Sequence, residues 1–518
     1  MEMSDGSAPA RRIRRRVVVY VCIYLLIQLV ILFSGAADSD IVCDDAFYYF
    51  QIARNAALGR GFTFDGLAAT NGFHPLYMWL IVPIFAVLQR DAWGAVRAAL
   101  VVLPVASAAA AWGLYHLGCR LRDDALGELM VVCFLLSPFS WLLPLRGCEG
   151  ALAVLSLVLV AERIARYSTA GPLGLRESLT LGALVGLGGL ARTELVLLGA
   201  VVAAWVLWRA RSAKQLAVFS AAALAVVSPW VVWNLVTFGT IVQVSGAAKH
   251  ALNLYGRLPV PGGPLDVVRN LAFGVGTPFT WIGQEEFGLR EILAAPWRSA
   301  TVWYMVVAVV LLVASGLAAR RWPRHRVVGV LGSYALLHLG YYIFYQRAYY
   351  NWYFLPVVAV VSVIQAEWLA DARPRARAAL LTASVLAGSV MVAHFFWAGT
   401  FARRGQELRH APLMTALGTL PPGSRVGSKD AGAIGYFAAF HAPDVHIVNL
   451  DCVVNNPAFE AYRRGAYRAY VLQTLDWLAY GEPPRGFLGI ASLRIGDEHF
   501  VHQGDTPLYR VVGRPGDR

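Results

Sequence analysis

The feature that most constrains this chain is a series of apolar runs, each of the length needed to cross the hydrocarbon core of a membrane. The runs lie near 17–36, 93–118, 125–145, 148–167, 177–193, 195–209, 216–236, 300–319, 327–345, 353–370 and 377–398. Of the 518 residues, 58% are hydrophobic and only 15% are charged, more apolar surface than a soluble core of this size buries. The sequence therefore predicts a polytopic α-helical membrane protein with about eleven transmembrane helices.

The distribution of basic residues supports this count. Nearly half of the 45 Lys and Arg lie in short connections that a cytoplasmic N-terminus would place inside the cell, as the positive-inside rule requires. These connections are 11–16, 120–122, 163–176, 209–214, 320–326 and 373–377. The short outer turns hold one basic residue each, namely Arg146, Arg192 and Arg347. The net charge of +13 is thus explained by membrane topology, and no nucleic-acid partner is expected.

Two apolar segments have a second interpretation. The run 76–88 contains Pro83 and is too short to span, so we interpret it as a juxtamembrane or re-entrant helix. Counting it as a span would place the later basic clusters outside the cell. The first run is interpreted as a signal anchor, although "RRIRRR" and "GAA" would also suit a cleaved signal peptide.

Three regions outside the spans are predicted to be extracytoplasmic: 38–92, 237–299 and 400–518. The last of these alternates short apolar stretches, such as "DVHIVNLD", with Pro and Gly turns, which is typical of a small mixed α/β domain. The predicted organisation is a transmembrane module over 1–399, with the outer loops 38–92 and 237–299, and an extracytoplasmic soluble domain over 400–518.

The first outer loop begins with "IVCDDAFYYF", in which Asp44 and Asp45 are adjacent. Because neighbouring anions repel, such a pair is more easily explained by chemistry than by stability. The pattern over 44–58 predicts a helix at the membrane surface, ended by Gly59 and Gly61. Its predicted apolar stripe is Phe47, Phe50, Ile52 and Ala56. Alternatively, the two acids only cap this helix.

The sequence around the acidic pair resembles that of a known family. "DDAFYYFQIARNAALGRGFTFDG" and the following "TNGFHPLYMWL" resemble the first loop of the C-type (GT-C) membrane glycosyltransferases. That superfamily contains protein O-mannosyltransferases, the lipid A aminoarabinose transferase and mycobacterial arabinofuranosyltransferases. In it an acidic pair follows the first span, and an element similar to "HPLY", here starting at His74, closes the loop.

Further matches follow in the expected order along the chain. "LRGCEGAL" is similar to a second-loop element of the arabinofuranosyltransferase-like branch and supplies Glu149. "GLARTELVLL" resembles that branch's Arg-Pro-Glu turn, with Thr193 in place of the proline, and supplies Arg192 and Glu194. "WNLVTFGTIVQVSGAAK" supplies Lys249. The resemblance covers residues 17 to 250 well and the remaining spans and the tail only loosely.

The resemblance implies a site and a reaction. Sugar would pass from a polyprenyl-phosphate donor to an acceptor hydroxyl, with a carboxylate as base and cations near the departing phosphate. Asp44 is implied to be the catalytic base, with Asp45 orienting the acceptor or holding the partner cation. The predicted substrate-binding residues are His74, Glu149, Arg192, Glu194, Lys249, Arg347 and Tyr350.

Several of these residues have a plainer explanation. Lys249 and Arg347 would also suit cations that extend to the membrane interface, and Arg192 would also suit a surface pair with Glu194. The aromatics of "QRAYYNWYFLP", which include Tyr350, would form either an interfacial belt or the walls of a sugar site. Of the cysteines, Cys43, Cys148 and Cys452 face the oxidising side, and a Cys43–Cys148 disulfide is a hypothesis.

The sequence thus favours an inverting hexosyl- or pentosyltransferase of cell-envelope glycan, lipid or protein glycosylation, multi-pass in a bacterial plasma membrane. Its expected partners are the lipid-linked sugar donor, a glycan, lipid or protein acceptor, and membrane lipids. No cofactor is expected, since no phosphate-binding, dinucleotide or Cys/His metal motif is present, although the acids would permit a divalent metal. A flippase for lipid-linked substrates, or a non-catalytic glycan-binding protein, is the alternative.

Overall fold

The structure is a computed structural model, and it describes residues 8–34, 41–169, 173–252, 326–346, 351–375, 377–379, 381–382, 406–479, 500–503 and 506–512. Contacts within the chain divide it into two units, each made of separate segments. The first, here the helical unit, comprises Met1–Ile31, Leu103–Pro229 and Leu258–Gly399. The second, here the mixed unit, comprises Leu32–Val102, Trp230–Arg257 and Thr400–Arg518.

Helices dominate the described part of the chain up to residue 382. They are α1 (Ala8–Phe33), α2 (Asp44–Ala57), α3 (Pro75–Val87), α4 (Ala92–Leu121), α5 (Asp124–Leu135), α6 (Pro138–Leu145), α7 (Gly150–Thr169), α8 (Leu175–Ala191), α9 (Val196–Ala210), α10 (Ala213–Phe238), α11 (Val244–Leu252), α12 (Arg326–Gly340) and α13 (Leu355–Asp371). Short 3₁₀ turns at Thr193–Leu195 and Asn351–Phe354 precede α9 and α13, and a π turn at Tyr341–Gln346 follows α12.

Five helical stretches are long and apolar enough to cross a membrane, or six if the bent pair α5 and α6 counts as one span. The five are Ala8–Phe33, Ala92–Leu121, Thr193–Ala210, Ala213–Phe238 and Trp352–Asp371. Each predicted span that falls on described residues coincides with a helix, except that 125–145 is divided between α5 and α6. The chain is therefore a membrane protein built mostly of helices.

The predicted count of eleven spans is not reached among the described helices. The predicted spans 300–319 and 377–398 lie outside the described residues, apart from a few positions at the start of the second. The run 125–145 is bent by 56° between α5 and Phe139–Leu145, because Pro138 disfavours a helical conformation at the residue before it. α7 has three charged residues near its end, and α8 has only 17 residues.

Two ion pairs within the helical unit join helix ends that are far apart in the sequence. Arg122 and Asp371, both predicted to face the cytoplasm, approach to 2.9 Å. Arg192, in a predicted outer turn, and Glu149, at the start of the predicted span 148–167, approach to 2.5 Å.

The tail forms the predicted mixed α/β structure, with the strand order β2 (His446–Asn449), β1 (Arg425–Ser428), β3 (Trp477–Ala479), β5 (Leu508–Val511) and β4 (Phe500–His502). β1 lies parallel to β2 and β3, and β5 lies antiparallel to β3 and β4. The elements are α14 (Gln406–Arg409), α15 (Ala411–Leu417), β1 (Arg425–Ser428), α16 (Gly432–His441), β2 (His446–Asn449), α17 (Asn456–Arg463), α18 (Tyr467–Thr474), β3 (Trp477–Ala479), β4 (Phe500–His502) and β5 (Leu508–Val511). The mixed unit joins these elements with α2, α3 and α11.

Candidate functional site

The acidic pair occupies the first turn of α2, as predicted. The carbonyl of Cys43 accepts the N–H of Ala46 at 3.0 Å and so begins the helix. The Cys43 side chain makes no capping hydrogen bond to α2. Gly59, with φ of +77°, follows directly on the last turn, which confirms the predicted end of the helix.

The surroundings of α2 differ from the prediction of a single buried stripe. Residues 46–53 are all buried, because α3 and α16 both pack against α2. The ring of Phe47 lies 5.4 Å from that of Phe437. The guanidinium of Arg54 lies 4.5 Å from the centre of the Phe440 ring. The prediction failed because the partner that covers α2 comes from the tail, almost 400 residues away along the chain.

Asp44 caps a helix, although not its own. Its Oδ1 accepts the N–H of Ala433 at 2.8 Å, and its Oδ2 accepts the N–H of Gly432 at 3.1 Å. These are the first two residues of α16, whose N-terminal N–H groups have no partner within the helix. The side chain predicted to be the base is thus held by the backbone of the tail.

The environment of Asp44 shifts its protonation. Burial above all, together with the charges of Asp430 and Asp45, raises the pKa of Asp44 to about 7, while the hydrogen bonds from the amides of Ala433 and Gly432 oppose the rise. A carboxylate with a pKa near neutrality is a stronger base than an ordinary aspartate and is still half ionised at pH 7. Asp44 is therefore suited to accept a proton.

Asp45 forms an ion pair with Lys249, which lies 204 residues further along the chain. The Lys249 Nζ is 3.1 Å from Asp45 Oδ2, and the two side chains are 11% and 32% exposed. Both residues were predicted to contribute to the site, and the structure brings them together. α11 presents Lys249 in its last turn.

Tyr48 and Asp451 extend the site beyond the residues predicted from the sequence. Tyr48 lies one turn after Asp44, and its hydroxyl accepts the N–H of Ala431 at 3.2 Å and the amide of Asn449 at 3.0 Å. The same hydroxyl lies 3.4 Å from Asp451 Oδ2. Burial raises the pKa of Asp451 to about 7, against hydrogen bonds from Val453 and Asn449. The sequence signal was the "NLDCVVNN" segment, in which no role was assigned to an individual residue.

The end of the first loop is fixed by an asparagine that the sequence analysis did not single out. Asn71 donates to Asn234 Oδ1 at 2.5 Å and to the Val242 carbonyl at 3.2 Å. Its Oδ1 accepts the N–H of Val244 at 3.0 Å and the amide of Asn456 at 3.0 Å. This buried network ties the loop to the start of α11, the helix that carries Lys249.

His74 is the N-cap residue of α3 and follows directly on this network. Its N–H donates to the hydroxyl of Tyr49 at 3.1 Å, and its Nδ1 lies 3.5 Å from Gln243 Nε2. Gln243 also donates to the carbonyl of Phe73 at 2.6 Å. His74 is thus placed in the same unit as Asp44 by contacts with α2 and with the segment before α11.

A second cluster in the helical unit contains the other predicted acids and Arg192. The Arg192 guanidinium donates to both Glu194 and Glu149, and it lies 4.8 Å from the centre of the Tyr353 ring. Tyr342 donates to Glu194 at 2.9 Å. The Arg192, Glu149 and Glu194 side chains are only 2%, 5% and 6% exposed. Arg192 and Glu194 do pair, as the plainer explanation expected, but they are buried rather than at the surface.

The remaining sequence-based expectations have separate outcomes. Arg347 and Tyr350 lie outside the described residues, as does most of the loop 237–299. The six cysteines, all in the described part of the chain, form no disulfide with one another. Cys43 and Cys148 belong to different units. Among the residues that the structure describes, no group of three or more His, Cys, Asp or Glu is arranged to hold a metal ion.

Solved structures with the same arrangement of elements identify the fold. ArnT from Cupriavidus metallidurans bound to undecaprenyl phosphate matches with a TM-score of 0.55 and 14% sequence identity, covering 85% of this chain and 87% of that chain. The archaeal oligosaccharyltransferase AglB from Archaeoglobus fulgidus, in complex with an inhibitory peptide and a dolichol-phosphate, matches with a TM-score of 0.53 and 14% identity, covering 90% of this chain and 69% of that chain. Both have the GT-C fold. This chain has the GT-C fold.

The GT-C match confirms at the level of the fold the resemblance that the first loop suggested. No protein-family model matches the sequence, and no curated protein matches it either. At 14% identity the GT-C fold is what the proteins share, so the activity has to be argued from the residues of this chain.

Proposed function

We propose that this chain is a membrane glycosyltransferase that moves a sugar from a polyprenyl-phosphate donor to an acceptor hydroxyl. The observation that carries the proposal is the acidic pair at the start of α2, one member paired with Lys249, in a chain with the GT-C fold. Sugar transfer by the purified protein, with release of polyprenyl phosphate, tests it.

The chemistry assigned to the pair follows from charge and position. Asp44 takes the proton of the acceptor hydroxyl, whose oxygen then forms a bond to the anomeric carbon. The bond from that carbon to the phosphate oxygen breaks, and its electron pair leaves with the polyprenyl phosphate. Lys249, oriented by Asp45, offsets the charge that develops on the leaving phosphate. A single displacement of this kind inverts the anomeric centre.

The setting of the reaction is proposed in the same terms. The acceptor is a glycan, lipid or protein of the cell envelope, the sugar is a hexose or pentose, and the site faces outward from a bacterial plasma membrane. Eleven spans, a cytoplasmic N-terminus and a soluble domain over 400–518 belong to this proposal. The proposed chemistry needs no cofactor, because an aspartate and a lysine supply the base and the cation.

The cluster around Arg192 has a different role in this proposal. Its guanidinium already has two carboxylate partners and is nearly inaccessible, so it has little capacity left for a donor phosphate. We assign Arg192, Glu149 and Glu194 to holding the turns before α7 and α9 in place. These residues therefore influence substrate binding only indirectly, whereas the resemblance implied that they contact the substrate.

The rate is expected to depend on pH through Asp44. Since a base acts only when ionised, kcat should be near its maximum above the pKa of about 7 and should be lost as the pH falls through that value. The measurement is kcat at saturating donor and acceptor from about pH 5 to about pH 9. A rate that stays constant down to about pH 5 would contradict the assignment of Asp44 as the base.

Lys249→Met is expected to lower kcat/KM by roughly 10- to 100-fold, because it removes the cation assigned to the leaving phosphate. Lys249→Arg, which keeps the charge, should retain more activity than the methionine variant. Lys214→Met is the matched control, since Lys214 is exposed in the first turn of α10. Equal activity of Lys249→Met and Lys214→Met would remove Lys249 from the mechanism.

A further inference from the structure

Helix α16 starts without a cap of its own. Its N-cap residue is Ala431, whose methyl side chain accepts no hydrogen bond, and alanine is among the poorest residues at this position. Asp44 of α2 instead accepts the first two N–H groups of the helix, from Gly432 and Ala433. The tail thus supplies two donors directed at the carboxylate assigned as base.

The approach of the two helices depends on glycine. A Cβ atom at Gly432 would lie 2.2 Å from the backbone oxygen of Asp44 and 2.9 Å from its Oδ2. One turn later, a Cβ atom at Gly435 would lie 2.4 Å from the ring of Phe64. The two glycines in the "AGAIGY" segment of the tail are therefore explained by its close contact with the first loop.

Tyr48 holds the same segment from its other side. Its hydroxyl accepts the N–H of Ala431, the residue directly before the two amides that reach Asp44. Asn449, at the end of β2, donates to the same hydroxyl. The start of α16 is thus fixed by two side chains of α2, one turn apart.

The geometry of the carboxylate remains compatible with proton transfer. An ionised carboxylate offers about four lone-pair positions, and the two amides use only two of them. Their hydrogen bonds fix the plane of the carboxylate and favour its ionised form. Among the described residues, the charged groups that act on Asp44 are Asp430 of the tail and Asp45, whose partner is Lys249. Asp451 of the tail contacts the hydroxyl of Tyr48, one turn along α2.

We infer that the tail is a working part of the reaction site, with Gly432 and Ala433 as positioning residues whose amides hold Asp44 as the base. The inference rests on the proposed function and adds the source of the base's orientation. A tail that only covered the loop would raise the pKa of Asp44 through burial, whereas the two amides lower it by stabilising the ionised carboxylate.

Gly432→Ala in the full-length protein tests this inference. The added methyl group pushes the amides away from Asp44, which removes hydrogen bonds to the charged form and raises its pKa. The acid limb, meaning the fall of kcat on the acidic side of its pH profile, should move to higher pH by about one unit. Activity should therefore fall about tenfold below neutral pH and recover in alkaline buffer. KM for the donor should change little.

Gly435→Ala is the matched control on the same helix. Its added methyl group would also disturb the contact between α16 and the first loop. It does so at Phe64, and it touches neither Asp44 nor the amides that donate to Asp44. We expect lower activity at every pH and an unchanged acid limb. If Gly432→Ala behaves in the same way, the amides do not position the base and the inference is wrong. Should Gly432→Ala not fold, Tyr48→Phe should shift the limb in the same direction by a smaller amount.

Hydrogen exchange gives a readout that needs no activity. The amides of Gly432 and Ala433 should exchange slowly in wild type and faster in Asp44→Asn, which keeps only one acceptor oxygen. Equal exchange in both proteins overturns the inference even if sugar transfer is observed. Protected amides in a wild type that transfers no sugar from any donor would instead count against the proposed function, and the base's role would be lost with it.

Discussion

Replacing Asp44 with asparagine is expected to lower kcat by about 100-fold or more while the protein still folds. Asparagine has nearly the same shape as aspartate but cannot accept the proton of the acceptor hydroxyl. Its side-chain oxygen still accepts one N–H at the start of α16, so most of the contact with the tail should survive. The comparison is single-turnover sugar transfer by wild type and variant at the same pH.

Asp430→Asn is the control for this variant. It removes the same charge from a residue that is exposed and close enough to influence Asp44. Because the repulsion it relieves raises the pKa of Asp44, its loss should shift the acid limb slightly downward and leave the maximal rate almost unchanged. An Asp44→Asn protein as active as wild type would show that Asp44 serves only as a cap for α16.

Replacing Arg192 with leucine is expected to destabilise the protein by about 3–5 kcal/mol. The change leaves Glu149 and Glu194, whose side chains are 5% and 6% exposed, without the cation that offsets their buried charges. The measurement is thermal unfolding of the purified protein in lipid nanodiscs, together with donor affinity. If Arg192 instead binds the donor phosphate, the unfolding temperature should be preserved and the affinity lost.

Two variants sharpen the Arg192 result. Arg463→Leu breaks an exposed pair with Glu460, so its effect should stay within about 0.5 kcal/mol. Combining Arg192→Leu with Glu194→Gln removes one of the two unbalanced charges and should restore part of the lost stability. A combined variant no more stable than Arg192→Leu would show that the unpaired charge of Glu194 does not cause the loss of stability.

The sequence was most informative where the signal is local. The helix after Cys43 and its end at Gly59 follow from acids at the first turn and a glycine after the last one. The apolar runs predicted the described helices in the same way. Pro138 carried the signal for the break in 125–145, but apolar length alone does not show where a helix bends.

Contacts between distant segments were beyond sequence reasoning of this kind. Asp45 and Lys249 were both proposed for the site, but their pairing depends on how α11 lies against α2. The role of Asp44 at α16 joins residues 388 apart, so neither segment alone reveals it. In retrospect, Ala431 at an uncapped helix start and the glycines one turn apart were signs that another segment supplies the cap.

The most direct test of the account is sugar transfer by the purified wild-type protein in lipid vesicles, with a panel of polyprenyl-phosphate sugars and envelope acceptors. The account predicts that one donor loses its sugar to an acceptor and that one polyprenyl phosphate is released for each sugar transferred. Movement of intact donor across the vesicle membrane, with no glycosylated product from any pair, would contradict it and point to a flippase.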